Sequence, residues 1–345
     1  MEKKPFAFQW HITDACDQRC KHCYIYSANP TRKIDAISLD QAKHVIDQCL
    51  EMCNKFNRQP YFSLTGGDPI LHPEFWNILS LLQAHNVDVS IMGNPFHLND
   101  SICEKLADYG CYRYQMSLDG LKDTHDWFRK PGSFDCTLEK LGCLKKAGIE
   151  TTIMTTVSGV NIHEIPSLID VVAEHEVDIY AFARYCPDRA TGDNGLSPQA
   201  YRKLLDTCWH KFQEYEAAGC KTVFNLKDHL WTLYQYEEGH FTLPSDAEPG
   251  LIYSGCNCGN CHMTILPNGD LYACRRFDSK VGNVFEDNIV DVWLKPMERY
   301  RNFQDFSKCS KCELLPYCRG CPAVAYGATG SFYGADPQCW KEINE

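Results

Sequence analysis

The stretch ACDQRCKHCY, residues 15–24, sets thiols at Cys16, Cys20 and Cys23 with three and then two residues between them. Just before it, Phe6, Phe8, Trp10 and Ile12 alternate with smaller or polar side chains, the pattern of a strand buried on one face. The thiols therefore lie in the loop at the C-terminal end of a first strand, where α/β barrels place their chemistry. Three thiolates this close can bind three irons of a cubane iron-sulfur cluster and leave the fourth iron open to a substrate. Zinc is the alternative, with His11 or His22 as fourth ligand.

Working outward, strand-like runs and amphipathic runs alternate as far as about residue 189. The strands expected are Phe6 to Thr13, Tyr61 to Thr65, Val87 to Met92, Tyr112 to Leu118, Thr151 to Val157 and Ile179 to Arg184. Helices are expected near 38–53, 73–86, 99–109, 133–147 and 161–175, with Ser38, Asn99 and Ser133 as N-caps and Gly110 and Gly148 as stops. Six such units predict an α/β fold with a parallel sheet and crossover helices, a partial (β/α)6 TIM barrel, because the pattern ends before the eight units of a full one. After a long helix near 197–218, residues 219–254 read as a bridge. Residues 255–345 are dominated by Cys, Gly, Pro and short turns, as in a small domain organised around metal.

The chain has 345 residues, 44% of them hydrophobic, enough to bury a sizeable core. Its formal charge of -11 disfavours binding to nucleic acid. No apolar run is long enough for a membrane span and the start does not read as a signal peptide, so a cytoplasmic protein is expected. That compartment removes most of the weight from disulfides as the use of 21 cysteines, and puts metal ligation in their place. Several scattered ones, such as Cys49, Cys53 and Cys208, fall on apolar helical stripes and read as core.

The rest gather at the end of the chain: Cys256, Cys258, Cys261, Cys274, Cys309, Cys312, Cys318, Cys321 and Cys339. The turn at Pro267 to Asp270 predicts a hairpin that returns Cys274 toward the first three. Nine thiols exceed one site and would fill two four-ligand sites, so a pair of zinc ribbons is the alternative to two clusters.

The string CDQRCKHCY resembles the CxxxCxxC signature of the radical S-adenosylmethionine (radical SAM) superfamily. Leu64 to Pro69, LTGGDP, is similar to the GGEP motif of that family, with Asp68 where a glutamate is usual. Met116 to Gly120, then His125, Asp126, Arg129 and Gly132 to Phe134, resemble the SLDG, HD, R, GSF series of its peptide-modifying members. The resemblance implies a catalytic [4Fe-4S] cluster on Cys16, Cys20 and Cys23. It places SAM against His22, Gly66, Gly67, Asp68, Ser117 and Arg129, with Ser117 near the ribose and Arg129 near the carboxylate. It also implies the reaction: one electron breaks a carbon-sulfur bond of SAM, giving methionine and a 5'-deoxyadenosyl radical that abstracts a hydrogen atom.

Residues 255–340 resemble a SPASM domain, which implies two auxiliary [4Fe-4S] clusters. The first would take two of Cys256, Cys258 and Cys261, with Cys274 and Cys321; the second would take Cys309, Cys312, Cys318 and Cys339. Cys318 and Cys321 stand one residue closer than the family pattern, and the run CNCGNC is denser than usual. One thiol is left over as a free thiol, an alternative ligand or a hydrogen-atom donor.

The function implied is modification of a ribosomally made precursor peptide by a thioether or carbon-carbon crosslink or by epimerisation. The ending CRGCPAVAYG resembles that of small maturases of cysteine-containing peptides, the group acting on CXXX-repeat precursors among them. A sulfatase- or quinone-cofactor-maturing enzyme is the second enzymatic reading, and a non-catalytic iron-sulfur electron carrier the reading of another class. Expected partners are the peptide, a reductant such as flavodoxin or ferredoxin, and a separate leader-binding protein, since the barrel starting by Phe6 leaves no room for a leader-binding domain. Two residues are candidates at the substrate. Cys186 follows the sixth strand and can reach a barrel mouth. Arg275, with Arg276, stands where the sulfatase-maturing relatives carry an aspartate base; an arginine stays charged and can hold a carboxylate instead.

Overall fold

The structure is a computed structural model that describes residues 3–26, 33–190, 192–246, 248 and 250–343. Six strands and their helices come in the expected order: β1 (Lys4–Thr13), α1 (Leu39–Lys55), β2 (Arg58–Gly66), α2 (Phe75–Ala84), β3 (Val89–Met92), α3 (Asp100–Asp108), β4 (Cys111–Ser117), α4 (Lys122–Phe128), α5 (Ser133–Lys146), β5 (Glu150–Val157), α6 (Ile165–Glu174) and β6 (Ile179–Arg184). These strands pair in chain order, all parallel. The alternation in β1 buries Phe6, Phe8, Trp10 and Ile12 against the helices and turns Gln9 and His11 to the opposite, luminal face. Helix α1 answers with Val45, Ile46, Cys49, Met52 and Cys53, and the core cysteines are buried as expected.

Local signals explain most element ends. Ser38 and Gln41 form a capping box on α1, Asn99 caps α3, and Gly110 and Gly148 adopt positive φ after α3 and α5. Ser133 differs from its expected role. It is the first residue of α5, buried, with its hydroxyl 2.6 Å from His125 Nε2, and its side chain does not cap the helix. Gly132 is the N-cap residue at φ 79°, and the Asp126 carboxylate takes the N–H groups of Gly132 and Phe134 at 2.7 and 2.9 Å.

The sheet extends beyond six strands. Past α7 (Pro198–Ala217), the bridge holds the short strand β7 (Val223–Asn225), parallel to β6, and α8 (Leu230–Glu237). The C-terminal region adds β8 (His262–Ile265) parallel to β1, then antiparallel β9 (Asp270–Tyr272) and β10 (Lys280–Asn283), followed by α9 (Ile289–Leu294) and α10 (Pro322–Thr329). All ten strands form one sheet, with β10 and β7 at its edges. Met263, Ile265, Leu271, Ile289 and Met297 join the barrel core, so the cysteine-rich region also carries apolar packing. Among the described residues no helix is long and apolar enough to cross a membrane.

Candidate cluster and cofactor sites

The cysteine loop is held by its stem. Gly67 N–H donates to the Thr13 carbonyl at 2.8 Å and Asp68 N–H to that of Ala15 at 2.7 Å. A side chain at Gly66 would drive into the Thr13 carbonyl and one at Gly67 into that of Ala15, and Gly66 sits at φ 141°. The two glycines therefore let the end of β2 lie flat against the loop that carries Cys16. From the far side, Lys21 N–H donates to the Phe128 carbonyl at 2.8 Å, at the end of α4.

Around the three thiols stand donors suited to thiolates. Asn94 Nδ2 lies 3.3 Å from Cys16 Sγ, and Arg129 Nη1 lies 3.9 Å from Cys20 Sγ. Burial pushes the Cys20 thiol up to about 11 against the pull of Arg129, and a metal that binds it displaces that proton. His22 turns Nε2 to the Asp119 carboxylate at 3.3 Å. Among the described residues the buried Asp68 Oδ2 and His22 Nδ1, beside the loop, have no partner. Such atoms are costly unless a ligand completes them, and they suit the amino group and purine of SAM. Burial pushes the Asp68 carboxyl up to about 7. A cavity of about 520 Å³, walled by His22, Trp127, Phe128, Ser158 and Gly159, has the size and flat aromatic faces an adenosine needs.

Asp119 was not singled out in the sequence, yet it organises this side. Its Oδ2 takes Arg129 Nε at 2.6 Å, its Oδ1 takes Thr156 N–H at 2.9 Å, and its own N–H donates to His125 Nδ1 at 3.0 Å. Burial opposes the charge of Asp119, but Arg129 and His22 outweigh it and hold the carboxyl below its ordinary range. Ser117 ends β4 two residues earlier. The SLDG string carried a signal for Asp119, a carboxylate directly after a strand, but charge and distance to Arg129 are tertiary facts. Asn94, in the turn after β3, carried no signal.

The C-terminal thiols fall into two groups. Burial raises the Cys309, Cys312 and Cys318 thiols most, and Cys339, a neighbour of all three, raises each further. Cys256, Cys258, Cys274 and Cys321 form the other, in which Cys256 hydrogen-bonds both Cys258 and His229. Cys261 neighbours Cys256 and Arg58, and its carbonyl accepts from Ala7 N–H at 2.9 Å beside β1. A buried network anchors the group: Arg184 binds Asp228 at 3.0 Å and Asp336 at 2.6 Å, and the second Asp336 oxygen takes Cys321 N–H at 2.7 Å.

The two substrate candidates also lie here. Cys186 Sγ is 3.9 Å from Cys321 Sγ, with Arg276 Nη1 equally close. Arg275 lies over the Tyr24 ring, 5.0 Å from its centre, and its buried Nε has no partner among the described residues. Arg276 and Lys227 are exposed to solvent. Among the described residues none of Arg275, Arg276 and Lys227 has a carboxylate at ion-pair distance.

Residues 10–172 match the radical SAM superfamily, and residues 256–322 match SPASM, an iron-sulfur cluster-binding domain. An AdoMet-dependent heme synthase of Methanosarcina barkeri is 28% identical over 98% of this chain and 97% of its own length. The mycofactocin maturase MftC of Mycolicibacterium smegmatis is 27% identical over 97% of this chain and 82% of its own. Among solved structures, SuiB of Streptococcus suis bound to S-adenosylmethionine superposes with a TM-score of 0.74 at 21% identity, covering 98% of this chain and 78% of that one. Native anSMEcpe with bound AdoMet gives 0.75 at 18%, covering 97% and 94%. With both domains matched in order on the two cysteine series, the chain is a radical SAM enzyme whose C-terminal part is a SPASM iron-sulfur domain.

Proposed function

We propose that this enzyme modifies a ribosomally made precursor peptide, and that the space between Tyr24 and Arg275 receives it. The observation that carries the reading is the contact of these two residues, each the next along the chain after a cluster cysteine, Cys23 and Cys274. The cofactor loop and the first auxiliary group thus adjoin at this contact. The cluster and SAM, when bound, supply one-electron cleavage and hydrogen-atom abstraction. The chain supplies the rest: Asp119 fixes Arg129 against Cys20, Asp68 offers its unpartnered oxygen to the cofactor, and Arg275 and Lys227 offer unpaired charges to a carboxylate. The full-length likeness to a mycofactocin maturase supports a peptide substrate. A flavodoxin or ferredoxin would supply the electron, and a separate protein would present the leader.

A second reading rests on the heme synthase of M. barkeri, similar over 98% of the chain: a carboxylate-bearing porphyrin would meet the same cations. The two separate by mass spectrometry. Reconstituted enzyme with SAM and reductant is given either the peptide encoded beside its gene or iron-coproporphyrin III; a mass change in the peptide alone supports the proposal, and one in the porphyrin alone overturns it.

A further inference from the structure

Asn94 lies in the turn after β3, 78 residues from Cys16 along the chain, and its buried side chain meets the cluster loop. Its Nδ2 stands 3.3 Å from Cys16 Sγ and 3.3 Å from Asp17 Oδ1. A side-chain amide carries two N–H groups on that nitrogen, one for each acceptor. Turned over, it would set its oxygen against a carboxylate and a thiolate, so Asp17 fixes which end of the amide faces the sulfur. Lys130 Nζ holds Asp17 by its other oxygen at 3.4 Å.

The backbone of the turn is fixed as well. Tyr114, buried on β4, donates its hydroxyl to the Asn94 carbonyl at 3.1 Å, and a side chain at Gly93 would run into that hydroxyl. Cys16 Sγ also accepts from Gln18 N–H at 3.4 Å, a backbone bond that any residue but proline could make at that position. Asn94 supplies the bond that depends on a side chain. Ligand sulfurs gain negative charge when an iron-sulfur cluster takes an electron, so a hydrogen bond to one of them strengthens on reduction and raises the potential.

We propose that Asn94 raises the reduction potential of the catalytic cluster through its hydrogen bond to Cys16 Sγ, and so eases entry of the electron that starts the reaction. Asn94 is a positioning residue in this role, and the role holds whichever substrate the enzyme takes.

The test is a redox titration of the reconstituted holoenzyme followed by EPR, in which the signal that moves on adding SAM identifies the catalytic cluster. Asn94→Leu keeps the branched shape and removes the donor. It should lower the midpoint potential of that cluster by about 59 mV, a tenfold fall in the ratio of reduced to oxidised cluster at a fixed potential, and leave the auxiliary potentials in place. A potential that stays or rises, or an equal fall at the auxiliary clusters, overturns the proposal. If Asn94→Leu carries no catalytic cluster, pulsed EPR of the SAM-free wild-type enzyme, labelled with 15N at its asparagine side chains, decides. A 15N coupling to the reduced catalytic cluster supports the bond, and the lack of one overturns it.

Discussion

The guanidinium of Arg275 stands 5.0 Å from the centre of the Tyr24 ring, joining the loop that carries Cys23 to the strand end that carries Cys274. Its Nε is buried without a partner among the described residues, which suits it to a substrate carboxylate. Arg275→Gln should raise KM for the peptide by about tenfold, the worth of one charge-assisted hydrogen bond, with little change in kcat. A KM equal to wild type would remove Arg275 from the substrate site.

The same arginine pair excludes one activity. With Arg275 and Arg276 after Cys274, no carboxylate base stands at that position, and a sulfatase-motif peptide should not be converted to formylglycine. Mass spectrometry after incubation with SAM and reductant checks this; aldehyde over many turnovers contradicts it.

Asp119→Asn should act through Arg129. The amide keeps the shape but removes the charge that holds Arg129 Nε at 2.6 Å, and Arg129 in turn loses its fixed approach to Cys20. We expect SAM cleavage to fall at least tenfold with iron content unchanged. Loss of iron in parallel would show instead that Asp119 supports the cluster.

Asp68 predicts a pH dependence. Its folded pKa, about 7, lies above the ordinary carboxylate value because burial penalises the charge. The group takes up a proton on folding between those values, so its contribution to stability is lost as pH rises toward 7. Binding of the SAM amino group needs the anion, so Asp68 should weaken affinity by about tenfold for each pH unit below 7. Calorimetric titration at pH 6 and 8 measures this against Asp68→Asn, which should flatten the profile. Identical profiles for the two proteins would rule Asp68 out.

Arg184→Met should destabilise by about 3–5 kcal/mol, because Asp228 and Asp336 would remain buried without their cation. Arg184 holds the Asp228 carboxyl below its ordinary range against the opposing effect of burial. That stability is present above the ordinary carboxylate value and is lost as pH falls through the folded one. The fall should appear as a lower midpoint in thermal unfolding of the holoenzyme; an unchanged midpoint contradicts it.

The sequence by itself determined the six strands in order, the capped helices α1 and α3, and the two cysteine series, because these depend on periodicity and spacing along the chain. It also brought out Asp68, Ser117 and Arg129 through short motifs. What it missed depends on distant neighbours. Strand β7 spans three residues, too few for a period, and forms because β6 offers it an edge. Ser133 reads locally as a cap, but His125 takes its hydroxyl. Only the tertiary structure paired the Cys261 carbonyl with Ala7 N–H beside β1. Only the tertiary structure brought Cys186 to Cys321, 135 residues away, because the buried charges of Arg184 and Asp336 must find each other in a core that offers no water.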